Sequence, residues 1–231
     1  MHKDAESSSE RRSFLTRLNA AALAALALSG AAKGQSKPGA NARWEPFRHA
    51  KDDWLELPGK HRMVFDTTNP EGLGEALLFT GNFMRVNRSD YGLQNTDLAV
   101  VIVVRHRSAP FGFNDAMWAK YNAALAAHAS YEDPRSKAVP KINVYDSPDY
   151  AELAPNRGTT LAALAKQGVQ FAVCSNSTRA VAGAAARSAG GSADTVFAEL
   201  TSNLVSNGRM VPAGIVAVNR AQERGYSLVT A

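Results

Sequence analysis

Leu98-Ala99-Val100-Val101-Ile102-Val103-Val104 is an unbroken apolar run, rich in valine and isoleucine and bounded by Asp97 and Arg105. A strand with one wet face alternates polar and apolar residues, and this run has no polar position on either side. It reads as a strand buried on both faces, the pattern of a parallel sheet covered by helices above and below.

The segments around it follow the same rhythm. Arg62-Met63-Val64-Phe65 is a short strand-like run that ends in the loop Asp66-Thr67-Thr68-Asn69-Pro70. From about Glu71 to Val86 a helix is expected, with Leu73, Ala76, Leu77, Phe83 and Met84 on one face, Thr80 within that stripe and Phe79 beside it. A second helix is expected from Asn114, its cap, to Ala127, burying Met117, Trp118, Tyr121 and Leu125. Residues 128–157, with Pro134, Pro140, Pro148 and Pro155, form a long insertion with a short extended piece at Ile142-Asn143-Val144. Loops of that length serve as lids or contact surfaces.

Thr159 or Thr160 then caps a helix through Gln167, closed by Gly168. Val169-Gln170-Phe171-Ala172-Val173 is a third strand, followed by an alanine-rich helix that begins near Ser177 and breaks at Gly190-Gly191. A helix over about 193–204, a strand at Met210-Val211, a helix over 213–224 and a strand at Ser227-Leu228-Val229 complete the chain. The expected fold is one three-layer α/β/α domain with a mostly parallel sheet of about five strands.

The first 34 residues read differently. Glu10-Arg11-Arg12-Ser13-Phe14-Leu15, then an alanine- and leucine-rich stretch from Leu18 to Leu28 and small residues, has the layout of a twin-arginine export signal. The stretch is short of the roughly 20 apolar residues of a membrane span. Cleavage is expected after Ala31, Ala32 or Gly34, which makes the protein periplasmic and a passenger of the twin-arginine translocase; an uncleaved signal would leave it anchored to the membrane. Residues 35–60 read as an N-terminal arm, flexible at first and packing at its end through Trp44, Phe47 and Trp54. The domain proper is 61–231.

Composition narrows the chemistry. The net charge is +5, and the signal holds five basic residues (Lys3, Arg11, Arg12, Arg17, Lys33) against three acidic ones (Asp4, Glu6, Glu10), which leaves +3 for the rest. That balance, without a basic cluster, argues against nucleic acid as a partner. The single cysteine, Cys174, excludes an intrachain disulfide and a cluster held by four cysteines of this chain. His49, His61, His106 and His128 are scattered without zinc-site spacing, so neither metal nor cofactor is expected. There is no GxSxG elbow, no HExxH, no Walker lysine and no dinucleotide fingerprint.

Ligands of open parallel sheets bind beyond the carboxyl ends of the strands. Those ends carry Asp66 and Thr67, Arg105 and His106, Cys174 and Asn176, and Pro212-Ala213-Gly214. Cys174 leads the candidates: a helix start behind it would lower its pKa, and Arg105 or His106 would act the same way. The other reading is a buried cysteine at a strand end. His106 is either a base, an anion contact or a solvated loop residue. Asp66 either orients a base or caps the helix after it, and capping is the commoner use.

Gly168-Val169-Gln170-Phe171-Ala172-Val173-Cys174, Val211-Pro212-Ala213-Gly214-Ile215-Val216 and Gln222-Glu223-Arg224-Gly225-Tyr226 together resemble the DsrE/DsrF-like (YchN-like) family. Arg62-Met63-Val64-Phe65-Asp66 and Asn114-Asp115-Ala116-Met117-Trp118-Ala119-Lys120-Tyr121 resemble its exported, twin-arginine-bearing members. The resemblance spans residues 60–231. It implies the three-layer fold, assembly into trimers or hexamers, and carriage of sulfane sulfur as a persulfide on the cysteine matching Cys174. A small sulfur-containing ligand is implied with it. The alternative is an exported, non-catalytic oligomeric binding or assembly module with Cys174 in its core.

Overall fold

The computed structural model describes residues 45–231; the twin-arginine segment and the first part of the arm lie outside them. Five strands form one sheet: β1 (His61–Thr67), β2 (Leu98–Val104), β3 (Gln170–Cys174), β4 (Gly208–Val211) and β5 (Ser227–Thr230). All neighbours are parallel, in the order β4-β3-β2-β1-β5. The unbroken apolar run is the central strand, buried at every position.

Helices α1 (Pro70–Tyr91), α2 (Asp115–Ala129), α3 (Leu161–Ala165), α4 (Ser175–Ala189), α5 (Ala193–Ser202) and α6 (Gly214–Gln222) make the crossovers. The chain steps outward from β1 to β4, then jumps back past β1 to place β5. Right-handed crossovers put a helix on the opposite face when the direction of travel reverses. Accordingly α1 to α5 pack with Phe65, Val100, Ile102, Val104, Phe171 and Val173 in one apolar cluster. On the other face α6, through Ala217, Val218 and Ala221, packs on Val64, Val101, Val103 and Ala172 with Leu55 beside it. The three-layer α/β/α fold is therefore present, with one thick helical layer and one thin one.

Local chemistry explains the helix ends. Asn69 accepts the Gly72 N–H at 2.9 Å and Pro70 opens α1, which closes at Gly92 in the left-handed region. Asn114 caps α2 through the Met117 N–H, and Thr160 caps α3 through the Ala163 N–H. In α1 Leu73, Ala76, Leu77, Thr80 and Met84 are buried, as the periodicity predicts, and the helix runs on to Tyr91. The alanine-rich helix starts two residues earlier than expected, directly after β3.

Two expectations need correction. Ile142-Asn143-Val144 is not extended: Asn143 accepts the Tyr145 N–H and opens a tight turn at Val144–Asp146. The side-chain amide of Asn143 donates to the carbonyls of Phe111 (2.8 Å) and Phe113 (2.9 Å), anchoring the insertion where no strand partner is available. The second concerns the arm, where Phe47 is exposed rather than packed. Ala50–Leu55 is a tight helical turn, pinned by the Tyr226 hydroxyl and Arg62 donating to the Leu55 carbonyl and by the ion pairs Arg224–Glu56 and Arg220–Asp52. Trp54 packs against the α6-side cluster and under Arg209.

Candidate functional site

Side chains alternate across a strand, so residues in register share a face. Asp66 lies opposite Val103, and Arg105 is two residues beyond Val103; Cys174 is two residues beyond Ala172. Val103 and Ala172 belong to the α6-side cluster. The alternation therefore sends Asp66, Arg105 and Cys174 to the thin side of the sheet, at the carboxyl ends of β1, β2 and β3, where α6 begins.

Asp66 and Arg105 form a two-pronged ion pair. Arg105 Nε donates to Asp66 Oδ1 at 2.7 Å and Arg105 Nη2 to Oδ2 at 2.9 Å. The carboxylate is 8 % exposed and the guanidinium 26 %. The bond to Asp66 raises the Arg105 pKa further, and the nearby Cys174 adds to the effect. Such paired geometry fixes the guanidinium as well as its charge. Asp66 thus does not cap α1; Asn69 does.

Behind the pair Thr67 donates to the Val103 carbonyl at 2.8 Å, and Ser108 accepts the Arg105 N–H at 3.0 Å. These buried hydroxyls lock the β2 exit onto the end of β1.

Gly214 closes the site from α6. A Cβ there would stand 2.6 Å from Arg105 Cβ and 2.8 Å from Cδ, so only glycine lets the helix start rest on the arginine stem.

Cys174 ends β3 and is the N-cap residue of α4, without a conventional capping hydrogen bond from its side chain. It is 5 % exposed, and the two apolar clusters stop short of it. Burial alone would push the thiol up. The N–H groups of Ser177, Gly214 and Asn176 and the Ser177 hydroxyl outweigh it and hold the thiol below its ordinary value. Two helix starts therefore aim peptide dipoles at one sulfur, which favours the thiolate.

The sequence-predicted residues separate as follows. Cys174, Gly214, Arg105 and Asp66 come together, while Asn176 contributes its backbone N–H and keeps its side chain exposed. His106 joins through its backbone: it sits at φ 55°, its N–H donates to Ser177 Oγ at 2.9 Å, and its carbonyl meets His128 Nε2 at 3.1 Å. Its ring is exposed and makes no hydrogen bond among the described residues. Burial pushes the His128 imidazole pKa down, and its Nε2 donates to the His106 carbonyl.

Sequence reasoning missed the hydroxyl of Ser177 and the ring of His128. Because Ser177 Oγ accepts from His106, its own hydrogen is free to turn to the sulfur. The available signal was position, since Ser177 is the third helical residue after an N-cap cysteine, where N-cap side chains find their donors. Among the described residues no cluster of side chains suits a metal ion, and no helix is long and apolar enough to cross a membrane.

No protein-family model matches the sequence, and no curated protein matches it. Among solved structures the chain is similar to MTH1491, a protein of unknown function from Methanobacterium thermoautotrophicum. The two are 16 % identical over 74 % of this chain and 99 % of that one, with a TM-score of 0.36.

Proposed function

We propose that this chain carries sulfane sulfur on Cys174, as an exported relative of the DsrE/DsrF-like proteins. The supporting observation is a buried thiol at the N-cap of α4, at the strand ends that carry the Asp66–Arg105 pair and the glycine start of α6 seated on the Arg105 stem, and held below its ordinary pKa by nearby donors. The Cys174 thiolate attacks the outer sulfur of a donor persulfide, R–S–SH. The Sγ–S bond forms as the donor's S–S bond breaks, the donor leaves as its thiolate, and the proton stays on the transferred sulfur. An acceptor thiolate reverses the step, so no external oxidant or reductant is needed. The donors that stabilise the thiolate remain at Sγ of the loaded persulfide, and loss of its proton to solvent leaves the anion beside the Asp66-paired Arg105.

Loading with a low-molecular-weight persulfide tests the reading. Wild type gains sulfur that reductant removes, and Cys174→Ala gains none while keeping its circular dichroism spectrum. Loading that survives in the variant overturns it. The 5 % exposure of Cys174 favours a second reading, an oligomeric binding or assembly module with the thiol as core. In that case native protein resists both loading and alkylation.

Export by the twin-arginine translocase belongs to the same proposal. Replacing Arg11 and Arg12 by lysine leaves precursor in the cytoplasm; export that persists in the double variant contradicts it.

A further inference from the structure

We propose that a pocket on the thick side of the sheet binds a small monoanion with a flat apolar body, its carboxylate held by Arg107. The pocket has a volume of about 430 Å³ and lies between the 128–157 insertion and the start of α1. That is within the usual size of small-molecule sites, which combine apolar and aromatic walls with a few placed polar groups.

The walls come from the insertion. Tyr131, Pro134 and Pro155 supply flat apolar faces, backed by the buried Tyr145, and Leu153 stands at the rim, 46 % exposed. These walls are fixed before any ligand arrives. Tyr145 is fully buried and its hydroxyl donates to the Pro70 carbonyl at 2.6 Å. Tyr131 and Tyr145 both pack on Phe111. Gly74 of α1 lets Pro155 and Tyr145 approach, since a Cβ there would meet them at 2.9 and 3.0 Å. Farther along, Tyr150 bonds Asp133, which also accepts the N–H groups of Arg135 and Ser136. A wall ordered in advance costs a ligand little to engage.

The polar end is Arg107. Its Nε donates to the Ala129 carbonyl at 3.1 Å, which holds the guanidinium at the pocket wall. It has no carboxylate partner among the described residues, and its terminal nitrogens make no hydrogen bond there. In this it differs from Arg105, which Asp66 fully engages. A half-buried guanidinium with two free nitrogens is suited to a planar, two-oxygen anion. Ser130, the left-handed cap of α2, adds a hydroxyl nearby. Glu71, which also lines the pocket, sets the charge limit, because it repels a second negative group.

The pocket lies on the thick side of the sheet and Cys174 on the thin side, so this proposal stands apart from the sulfur reading.

Saturation-transfer NMR and thermal-shift measurements on the full chain test it, with benzoate and phenylacetate as probes and benzamide and phenylacetamide as neutral counterparts. The carboxylates give saturation transfer and raise the melting temperature. The amides bind at least about tenfold more weakly, the scale of one charge-assisted hydrogen bond. Arg107→Gln brings the carboxylates down to the amide level. Because Arg107 also steadies the end of α2, Leu153→Trp serves as a second variant, filling the pocket from its exposed rim and blocking the carboxylates. Cys174→Ala leaves their binding unchanged. Equal binding of acids and amides, retained acid binding in both Arg107→Gln and Leu153→Trp, or no transfer from any probe overturns the proposal.

Discussion

Cys174 owes its ionisation to peptide dipoles more than to a charged neighbour. Burial opposes the thiolate, and the donors of Ser177, Gly214 and Asn176 prevail. The rate of iodoacetamide alkylation should therefore rise with pH through a midpoint below the ordinary cysteine value of about 8.5. Ser177→Ala removes one donor and leaves the His106 N–H without its acceptor, so that midpoint moves up and alkylation at neutral pH slows. A midpoint that does not move would mean the hydroxyl faces away from the sulfur. The linkage has a definite sign: a thiol pKa depressed by folding adds stability above the unfolded value, and that stability is lost as pH falls through the folded one.

Gly214 is the second residue to test. Gly214→Ala drives a methyl into the Arg105 stem, which costs about 1–3 kcal/mol by overpacking. It also shifts the α6 N–H away from Cys174. A lower urea midpoint together with a higher alkylation midpoint is expected; a change in stability alone would uncouple α6 from the thiol.

At the scale of elements, the insertion between α2 and α3 depends on Asn143. One buried amide holds the carbonyls of Phe111 and Phe113 and opens the Val144 turn. Asn143→Ala leaves two buried acceptors unpaired and should cost about 2–3 kcal/mol, read from chemical denaturation; a loss under about 0.5 kcal/mol, typical of surface sites, would mean water replaces the amide.

This segment also marks where sequence reading ends. The central strand was legible because Leu98–Val104 has no polar position. The helices were legible from their periodicity and from Asn114 and Thr160 at their caps. Register and alternation then placed Asp66, Arg105 and Cys174 on one side, which the strand ends alone suggested. Asn143 was misread because two β-branched or branched neighbours imply a strand only when a ladder partner exists. The pairing of Asp66 with Arg105 was hidden for a related reason, since the residues are 39 apart in sequence and meet through β-sheet register. Ser177 and His128 act through local hydrogen bonds that leave no periodic trace.

For the molecule as a whole, the thin layer leaves apolar surface beside the site. On the first turn of α6, Ile215 is 56 % and Val216 42 % exposed, and Leu228 is exposed on the edge strand β5. Exposed apolar surface of this kind marks contact sites, and we propose that the homo-oligomer implied by the family resemblance covers it. Sedimentation should give a mass that is a multiple of the protomer's, with Ile215→Glu shifting it toward the protomer. A monomeric wild type would contradict that assembly.

The central claim is that Cys174 holds sulfur in the cell. The direct measurement is the intact mass of protein recovered from the export compartment, before and after reductant. The account predicts a mature chain lacking its signal and bearing a reducible adduct of about 32 Da, one added sulfur, on Cys174. An unmodified thiol that also resists alkylation in the native state would contradict it, and would make Cys174 a core residue.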